Sequence, residues 1–408
     1  MNKIMIFSPH EDDETLGCAG VIRGAINNGS DVKLVLVTTG DYTEPKNRIQ
    51  LTIKIMELLG LDKQNLIYLG YGDYKVLGPA YLSKNQPQKI FPGYKGSQTY
   101  GFPDIGVIDY HYQKYGVHAD YTYQNIFNDI YTVIKENLPQ DIYLTSQLER
   151  HPDHSSTAFF IISAILKIKK TTNYSPTIHE FMIYKDGLPQ DNLDALEPVL
   201  DYESNMNETS PYNWCFRESI PVPDEMYASI DSGINLKAQA FSIYGDYVSS
   251  LNRFIKSDEV FWSKTLSSLS YNATVTASSQ NSTTQQYCKN VINGLTVGYP
   301  YRNDLFQFYI NEWATLGELD GAWIQLSWPN LIRANRIILY DRPNFTDQII
   351  RATLTFSDGS NIGIGPLPNN GSPYVVNFPI KTFSWVKLTI VKGIGHNIGL
   401  SEFEVYLI

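Results

Sequence analysis

The feature that most constrains the fold of this 408-residue chain is a change in its hydrophobic pattern near residue 268. Before that point, short β-branched stretches alternate with stretches of helical periodicity, as in KIMIFS followed by ETLGCAGVIRGAINNG. Such alternation predicts βαβ units in a doubly wound, mostly parallel sheet. After it, short strand patterns separated by turn signals predict an all-β sandwich. We therefore expect an α/β domain over residues 1–268 and a β-sandwich domain over residues 269–408.

The composition excludes several classes of partner and site. A formal net charge of -10 argues against nucleic acid or an anionic membrane as the main partner. The longest apolar run, from Ala158 to Leu166, is about half of what a membrane-spanning helix needs, so we expect no membrane span. Cys18, Cys215 and Cys288 are too far apart in the sequence to indicate a disulfide framework or a zinc ribbon.

Two stretches of the first domain depart from the short alternation of strand and helix patterns. The stretch from Gly70 to Asp120 is rich in Tyr, Gly and Pro, and connections of that length are usually functional or contain small elements of their own. The stretch NLKAQAFSIYGDYVSSLNRFIKSDEVFWS, residues 235–263, is interpreted as a helix that closes the domain.

A first charged cluster, SPHEDDE at residues 8–14, follows the first predicted strand. Capping of the next helix accounts for Glu14 and for Asp13. Capping does not account for His10, and adjacent carboxylates repel one another unless a cation holds them. The dinucleotide fingerprint G-x-G-x-x-G is absent from this turn, so nucleotide binding is not expected.

A second cluster, ERHPDH at residues 149–154, follows the predicted strand DIYLTS. Ligands of doubly wound sheets bind beyond the carboxyl ends of the strands, where two such clusters can converge. Neutral imidazoles together with a carboxylate suit Zn²⁺. The alternative for His151 and His154 is that they are surface histidines with no ligand, and the presence of two clusters favours the metal site.

These motifs resemble the PIG-L/LmbE-like deacetylases, whose signatures are PHPDDE and a later HPDH. SPHEDDE, VTTGD, Arg48, LGYGD and DIYLTSQLERHPDH stand in the order expected for that family. The resemblance implies a Rossmann-like fold and a zinc-dependent hydrolase of N-acetylated sugars, with another divalent metal as an alternative to Zn²⁺. Glu11 departs from the family pattern, because it stands where proline is usual, between functional residues.

Residue by residue, the resemblance implies roles for five side chains. His10, Asp13 and His154 would bind the metal. Asp12 would be the general base, and His151 would stabilise the oxyanion or help to protonate the leaving amine.

The resemblance also implies that Arg48 and Asp73 bind the substrate. An ion pair on the face of its helix is the alternative for Arg48, and the acidic residue that often follows this arginine by one turn is not seen. Glu149 or Asp153 could orient a histidine, but a solvated loop charge is the favoured interpretation of each.

The second domain resembles the coagulation-factor C-type or discoidin-like sandwiches, which have a galactose-binding-like jelly roll. TASSQ, VINGL, LTFSDGS and the closing GLSEFEVYLI support this resemblance. It implies a carbohydrate-binding module, with Ca²⁺ near Asn293 and Glu402 as a weaker implication. Tyr299, Tyr301, Phe306 and Trp313 are candidates for a sugar platform, whereas Trp323 and Trp328 are expected to be buried.

Together these features predict a metal-dependent N-deacetylase that releases acetate from an N-acetylated amino sugar or glycan. Its combination with a sugar-binding domain favours an extracellular or cell-surface location, although a cytoplasmic one stays open and the sequence as given shows no signal peptide. Two alternatives remain. One is a catalytically inactive carbohydrate-binding protein, and the other is an O-acetyl esterase or an amidase acting on another acyl substrate.

Overall fold

The computed structural model describes residues 1–184, 196–197, 217–245, 253–296, 308–344, 346–369 and 371–408. The chain divides into two compact units. The first is drawn mainly from residues up to Thr265 and the second mainly from Leu266–Ile408. The first unit is α/β with a mostly parallel sheet and the second is all-β, which confirms the predicted fold classes.

The first unit is built on a seven-stranded sheet with the order β3-β2-β1-β4-β5-β7-β6. Neighbouring strands from β3 to β5 are parallel, and β7 is antiparallel to both β5 and β6. The strands are β1 (Lys3–Ser8), β2 (Asp31–Thr38), β3 (Leu66–Tyr71), β4 (Asp141–Thr145), β5 (Thr177–Phe181), β6 (Arg217–Pro221) and β7 (Asp258–Thr265).

Helices connect the parallel strands, as the alternation in the sequence predicts, and further helices lie between the antiparallel strands β6 and β7. They are α1 (Asp13–Asn27), α2 (Pro45–Leu59), α3 (Leu77–Leu82), α4 (Tyr110–Tyr115), α5 (Tyr123–Asn137), α6 (Pro152–Lys169), α7 (Asp224–Tyr227) and α8 (Leu236–Tyr244). The short helices α3 and α4 lie in the long stretch from Gly70 to Asp120, which therefore contains small elements of its own. No helix in the described ranges is both long enough and apolar enough to cross a membrane.

The order of the strands reverses at β1, which pairs with β2 on one side and with β4 on the other. The chain leaves β1 toward α1 and leaves β4 toward α6, so both connections begin at the carboxyl edge of the sheet. A reversal of this kind opens a crevice between neighbouring loops, where doubly wound proteins bind ligands. The two charged clusters of the sequence lie in these two connections.

A buried ion pair fixes α1, the helix that begins inside the first cluster. Lys237 donates to Glu259 at 2.7 Å and to the carbonyl oxygen of Leu16 at 3.1 Å. Glu259 accepts hydrogen bonds from the backbone N–H groups of Gly20 and Val21. Because the paired charges are 1% and 5% exposed, their charge is neutralised inside the unit.

The helix predicted over residues 235–263 is wrong in its second half. Helix α8 ends at Tyr244, residues 246–252 are outside the described part of the chain, and Asp258–Thr265 form β7. This segment contains Val260, Phe261 and Trp262, which are β-branched or aromatic and favour strands. It pairs on both sides, and the ring of Phe261 is fully buried, so tertiary contacts decide its conformation.

The second unit is an antiparallel sheet whose two longest strands bend through irregular register. Its strands are β8 (Thr274–Ala277), β9 (Trp313–Ala314), β10 (Trp323–Asp341), β11 (Gln348–Phe356), β12 (Asn361–Ile364), β13 (Tyr374–Ile394) and β14 (Gly399–Tyr406). The first half of β10 pairs with β8, and its second half pairs with β14. The bend lets residues of both halves, such as Leu326 and Leu339, share one core, which is how a sandwich forms.

The structure tests part of the predicted sugar platform. Trp313 is fully buried and its indole N–H donates to the carbonyl oxygen of Ser279 at 2.9 Å, so its prediction as a platform residue is wrong. Tyr299, Tyr301 and Phe306 lie outside the described residues.

Of the two tryptophans expected to be buried, Trp328 is 7% exposed and Trp323 is half-buried. The two side chains named for Ca²⁺ make hydrogen bonds with the chain itself. Asn293 Oδ1 accepts from the N–H of Leu295, and Glu402 Oε1 accepts from the N–H of Gly294.

Candidate active site

The two clusters meet in one cavity of about 500 Å³ at the carboxyl edge of β1 and β4. His10, Asp12 and Asp13 come from the connection between β1 and α1, and His151 comes from the turn before α6. The volume lies within the ~300–1,000 Å³ that small-molecule sites usually have. The expectation that the clusters converge therefore describes their positions correctly.

Three candidate ligand atoms form a nearly equilateral triangle. His10 Nδ1 lies 3.2 Å from Asp13 Oδ2 and 3.1 Å from His154 Nε2, and Asp13 Oδ2 lies 3.1 Å from His154 Nε2. Around a tetrahedral zinc ion with bonds of ~2.0–2.1 Å, neighbouring ligand atoms are separated by ~3.3 Å. The triangle thus has the size of one face of such a coordination sphere.

Buried carboxylates contact the outer nitrogen of each histidine. His154 Nδ1 lies 2.5 Å from Glu149 Oε2, so this nitrogen carries a proton and Nε2 is the nitrogen that faces the triangle. His10 Nε2 lies 2.9 Å from Asp73 Oδ1 and 3.1 Å from Asp153 Oδ2, which leaves Nδ1 for a ligand. Carboxylates placed in this way fix the tautomer of metal-binding histidines.

The charge around the triangle favours a cation. Burial by itself would lower the pKa of His10, but the nearby carboxylates of Asp73 and Asp13 raise it well above its usual value. Burial opposes a charge on His154 in the same way, yet Asp13 and Glu149 raise its pKa to about 10. Both imidazoles therefore experience a strongly negative potential. A divalent cation would satisfy that potential by displacing a proton from each ring, so the residues fit Zn²⁺ or a similar ion.

Asp12 lies beside this triangle without belonging to it. It precedes α1 and has φ 151° and ψ -29°, a backbone conformation that side-chain-bearing residues rarely adopt. Burial and the charge of Asp13 raise the pKa of Asp12 to about 8, while the guanidinium of Arg48 opposes the rise. A cation next to Asp13 would lower this pKa again, because it would offset the charge of Asp13.

His151 is a neutral imidazole whose tautomer follows from one hydrogen bond. Its Nδ1 accepts from the backbone N–H of Asp153 at 3.3 Å, so the ring proton is on Nε2. Burial and the neighbouring rings of His10 and His154 lower the pKa of His151 to about 2. A neutral imidazole that lines the cavity can donate one hydrogen bond to a developing negative charge.

Arg48 and Asp73 both line the cavity, and each also contacts other side chains of the site. Arg48 Nη2 lies 3.4 Å from Asp12 Oδ2, and Arg48 Nη1 lies 3.6 Å from Glu11 Oε2. The arginine thus pairs with the first cluster and not with a neighbour on its own helix face. Glu11 is fully buried, and burial raises its pKa to about 7, while the guanidinium of Arg48 opposes the rise.

Glu14 connects the residues of the first cluster through buried hydrogen bonds. It is fully buried, and its Oε2 accepts from the hydroxyl of Ser8 at 2.9 Å and from the N–H of Asp12 at 3.2 Å. Its Oε1 accepts from the hydroxyl of Tyr244 at 2.9 Å. These bonds connect the end of β1 to the loop that carries the ligands, so Glu14 positions the loop.

The favoured interpretation of Glu149 and Asp153 as solvated loop charges is wrong. The two residues are 1% and 0% exposed, and each contacts a histidine of the triangle. The turn between β4 and α6 carries Glu149 to one imidazole, and the first turn of α6 carries Asp153 to the other. Their place inside ERHPDH, next to the histidines, was the available signal.

Asp41 and a group of tyrosines at the rim of the cavity were not predicted from the sequence. Tyr42, Tyr74 and Tyr94 line it together with Tyr184. Two of them belong to a repeated pattern, because the tripeptide Gly-Asp-Tyr follows both β2 and β3, at residues 40–42 and 72–74. That repeat could have identified them.

Replacing Glu149 by glutamine is expected to weaken metal binding by about 10–100-fold. Glu149 Oε1 accepts from the N–H of Ile183 while Oε2 accepts from His154, so an amide would direct its NH₂ group at one of two donors. Competition with a fluorescent chelator measures this affinity. Glu136→Gln, at an exposed ion pair on α5, is the matched control and should bind metal as the unsubstituted protein does. Equal affinities in the two variants would remove Glu149 from this role.

Two family models match separate stretches of this chain. Residues 5–165 match the model of the PIG-L family, described as GlcNAc-PI de-N-acetylase. Residues 268–406 match a domain family of unknown function, DUF7402. A search among curated proteins found no match.

Several solved structures are similar to part of this chain. A Clostridium perfringens module, CpGH89CBM32-5 in complex with GalNAc-beta-1,3-galactose, is 19% identical, with 34% of this chain and 96% of that chain covered and a TM-score of 0.27. A fucose binding module from Streptococcus pneumoniae is 14% identical, with coverages of 35% and 98% and a TM-score of 0.27. The conserved protein TT1542 from Thermus thermophilus is 18% identical, with coverages of 40% and 56% and a TM-score of 0.26.

Proposed function

We propose that this chain, whose residues 5–165 form a domain of the PIG-L de-N-acetylase family, is a metal-dependent N-deacetylase of an N-acetylated amino sugar or glycan. The observation that carries the proposal is the triangle of ligand atoms from His10, Asp13 and His154. Its His10 and Asp13 vertices line the same cavity as Asp12 and His151, and His154 is buried directly behind them. Zn²⁺ suits this donor set of two imidazoles and one carboxylate.

A bound divalent ion would supply Lewis-acid chemistry at this site. Asp12 takes a proton from the attacking water, whose oxygen forms a bond to the acetamide carbon. The Nε2–H of His151 donates to the carbonyl oxygen as negative charge develops there. The C–N bond then breaks, and Asp12 delivers its proton to the leaving nitrogen, so that acetate and a free amine are released.

Arg48 and Asp73 are proposed to bind hydroxyl groups of the sugar. Both line the cavity, and a guanidinium with a carboxylate offers donors and acceptors at fixed positions. Arg48 is held by Glu11 and Asp12, so it can receive a ligand without rearranging. Asp73 uses Oδ1 for His10, and Oδ2 is the oxygen that we assign to the sugar.

A panel of acetylated substrates tests the proposed reaction and both alternatives. We expect free amine and acetate from N-acetylglucosamine and its oligomers, and little acetate from O-acetylated sugars of the same size. Faster release from the O-acetylated sugars would indicate an esterase. Binding of sugars with no release from any of them, in the metal-loaded protein, would indicate a catalytically inactive binding protein.

The second unit is proposed to be a carbohydrate-binding module, which would favour an extracellular or cell-surface glycan as the substrate. The support is its antiparallel sandwich together with the discoidin-like motifs, including the closing GLSEFEVYLI. Retention of the chain by an insoluble glycan, in a variant whose cavity is blocked, is the measurement that tests it. Loss of retention in that variant would contradict the assignment.

A further inference from the structure

Three tyrosines with exposed rings stand at the mouth of the cavity that contains the candidate ligands. Tyr42 is 69% exposed, and Tyr74 and Tyr94 are each 37% exposed. All three line the same cavity as Asp12. Large exposed side chains gathered at the rim of a pocket mark a binding surface, whereas singly scattered ones do not.

A single buried carboxylate fixes the loops that carry these rings. Asp41 is 2% exposed, and its Oδ1 accepts from the N–H of Asp73 at 2.8 Å. Its Oδ2 accepts from the N–H of Lys95 at 3.3 Å. Each of these three residues is adjacent in sequence to one of the tyrosines. The arrangement of the rings therefore follows from a buried anchor that three loops share, and it is preorganised.

The rings also support one another. The centroids of Tyr42 and Tyr94 are 5.3 Å apart with an interplanar angle of 62°, an edge-to-face contact. The ammonium group of Lys75 lies 4.1 Å from the centroid of Tyr94, where it is attracted to the ring face. Tyr94 thus contacts both Lys75 and Tyr42. Tyr42 contacts Tyr94 by an edge-to-face arrangement and is the more exposed of the two rings, so it is the ring that a ligand can reach.

The chemistry of the cavity selects the kind of ligand that Tyr42 would meet. Apart from the apolar Leu16 and Ile183, the inner wall is formed by charged, histidine and tyrosine side chains, which do not suit an acyl chain. The face of a tyrosine ring is negative, and the C–H bonds on the flat side of a pyranose are positive at hydrogen. A sugar ring combines such an apolar face with hydroxyls for the polar wall.

We propose that Tyr42 stacks on the sugar ring next to the one whose acetamide is hydrolysed, so that the substrate is an oligosaccharide or polysaccharide and not a single amino sugar. This inference rests on the proposed deacetylase function and adds a second sugar subsite to it. The subsite would adjoin the cavity beside the triangle of ligand atoms. Asp41 would keep the loop that carries Tyr42 in place relative to that triangle.

The test compares two substrates in the full-length, metal-loaded protein. We measure kcat/KM for the tetramer of N-acetylglucosamine and for the monosaccharide, and we take their ratio. The unsubstituted protein should prefer the tetramer. Tyr42→Ala should lower the ratio by about five- to tenfold, mainly through KM for the tetramer, since one aromatic contact is lost. Tyr42→Phe keeps the ring and should keep the ratio.

Tyr227→Ala is the matched control, because Tyr227 on α7 is 55% exposed and does not line the cavity. A Tyr42→Ala ratio equal to that of this control, or no preference for the tetramer in the unsubstituted protein, overturns the inference while the deacetylase function stands. If no sugar releases amine, the proposed function fails. Equilibrium binding of the tetramer to Asp12→Asn, with and without Tyr42→Ala, then decides the subsite by itself.

Discussion

Substitution of Asp12 by asparagine is expected to lower kcat/KM for amine release by on the order of 10³-fold while the protein keeps its metal. The loss follows from two proton transfers that depend on the same carboxylate, since an amide can neither accept the proton of water nor deliver it to the nitrogen. The metal stays because Asp12 contributes none of the three atoms of the triangle. Amine release and elemental analysis of the same preparation measure the two quantities.

Asp12→Asn is expected to change the rate of catalysis without changing the stability of the fold. Asp12 occupies the N-cap of α1, but its side chain makes no capping hydrogen bond, so the amide removes no cap. The change does remove the ion pair between Arg48 Nη2 and Asp12 at 3.4 Å. Arg48 Nη2 still donates to the carbonyl oxygen of Glu11 at 3.0 Å, and Nη1 still lies 3.6 Å from Glu11 Oε2. We therefore expect an unfolding midpoint close to that of the unsubstituted protein.

Asp104→Asn is the matched control for this experiment. It removes a carboxylate that pairs with Lys46 on the surface, outside the cavity, and should leave kcat/KM within twofold. Full activity of Asp12→Asn would refute the role of Asp12 as base. Loss of metal from Asp12→Asn would instead assign Asp12 to the coordination sphere.

Periodicity and motif position were sufficient to predict the frame of the site. The strands β1 and β4 are short apolar runs with a charged cluster directly behind each, and a doubly wound sheet brings such ends together. His10 and His154, separated by 144 positions, could therefore be expected near each other before any contact was known. The sequence pattern therefore predicts which edge of the sheet forms the site and which residues lie at that edge.

Burial of single side chains could not be predicted in the same way. Glu149 and Trp313 show this error, since the carboxylate and the ring were both expected to be exposed and both are buried. Glu149 lies in a connection and Trp313 in the two-residue strand β9, and the position of each depends on tertiary contacts. The N–H of Ile183 meets Glu149, and the carbonyl oxygen of Ser279 meets Trp313, and neither partner is near in sequence.

The aromatic rim was missed for a related reason. Tyr42 and Tyr94 are 52 positions apart, and their contact depends on Asp41, which binds backbone groups whose identity a sequence does not reveal. Gly93 helps to bring these loops together, because a Cβ on it would lie 3.3 Å from Asp41 Oδ2. Only the repeated Gly-Asp-Tyr after two strands pointed to a shared function.

Removal of the metal is expected to abolish activity without unfolding the protein, and His154→Ala should make that loss permanent. A chelator should bring amine release of the unsubstituted protein to background, and added Zn²⁺ should restore it. His154→Ala lacks one vertex of the triangle and should remain inactive and metal-free at the same Zn²⁺ concentration. In the unsubstituted protein alone, Zn²⁺ should raise the unfolding temperature, since a ligand at 100 times its Kd stabilises the fold by ~2.7 kcal/mol.

The matched control for the metal experiment is His118→Ala. The ring of His118 pairs with Asp109, lies outside the cavity, and should affect neither metal content nor activity. The metal-free protein should stay folded because the imidazoles of His10 and His154 can pair with the carboxylates that surround them. Activity that survives complete chelation, or Zn²⁺ that stabilises His154→Ala as much as the unsubstituted protein, would exclude the triangle as the metal site.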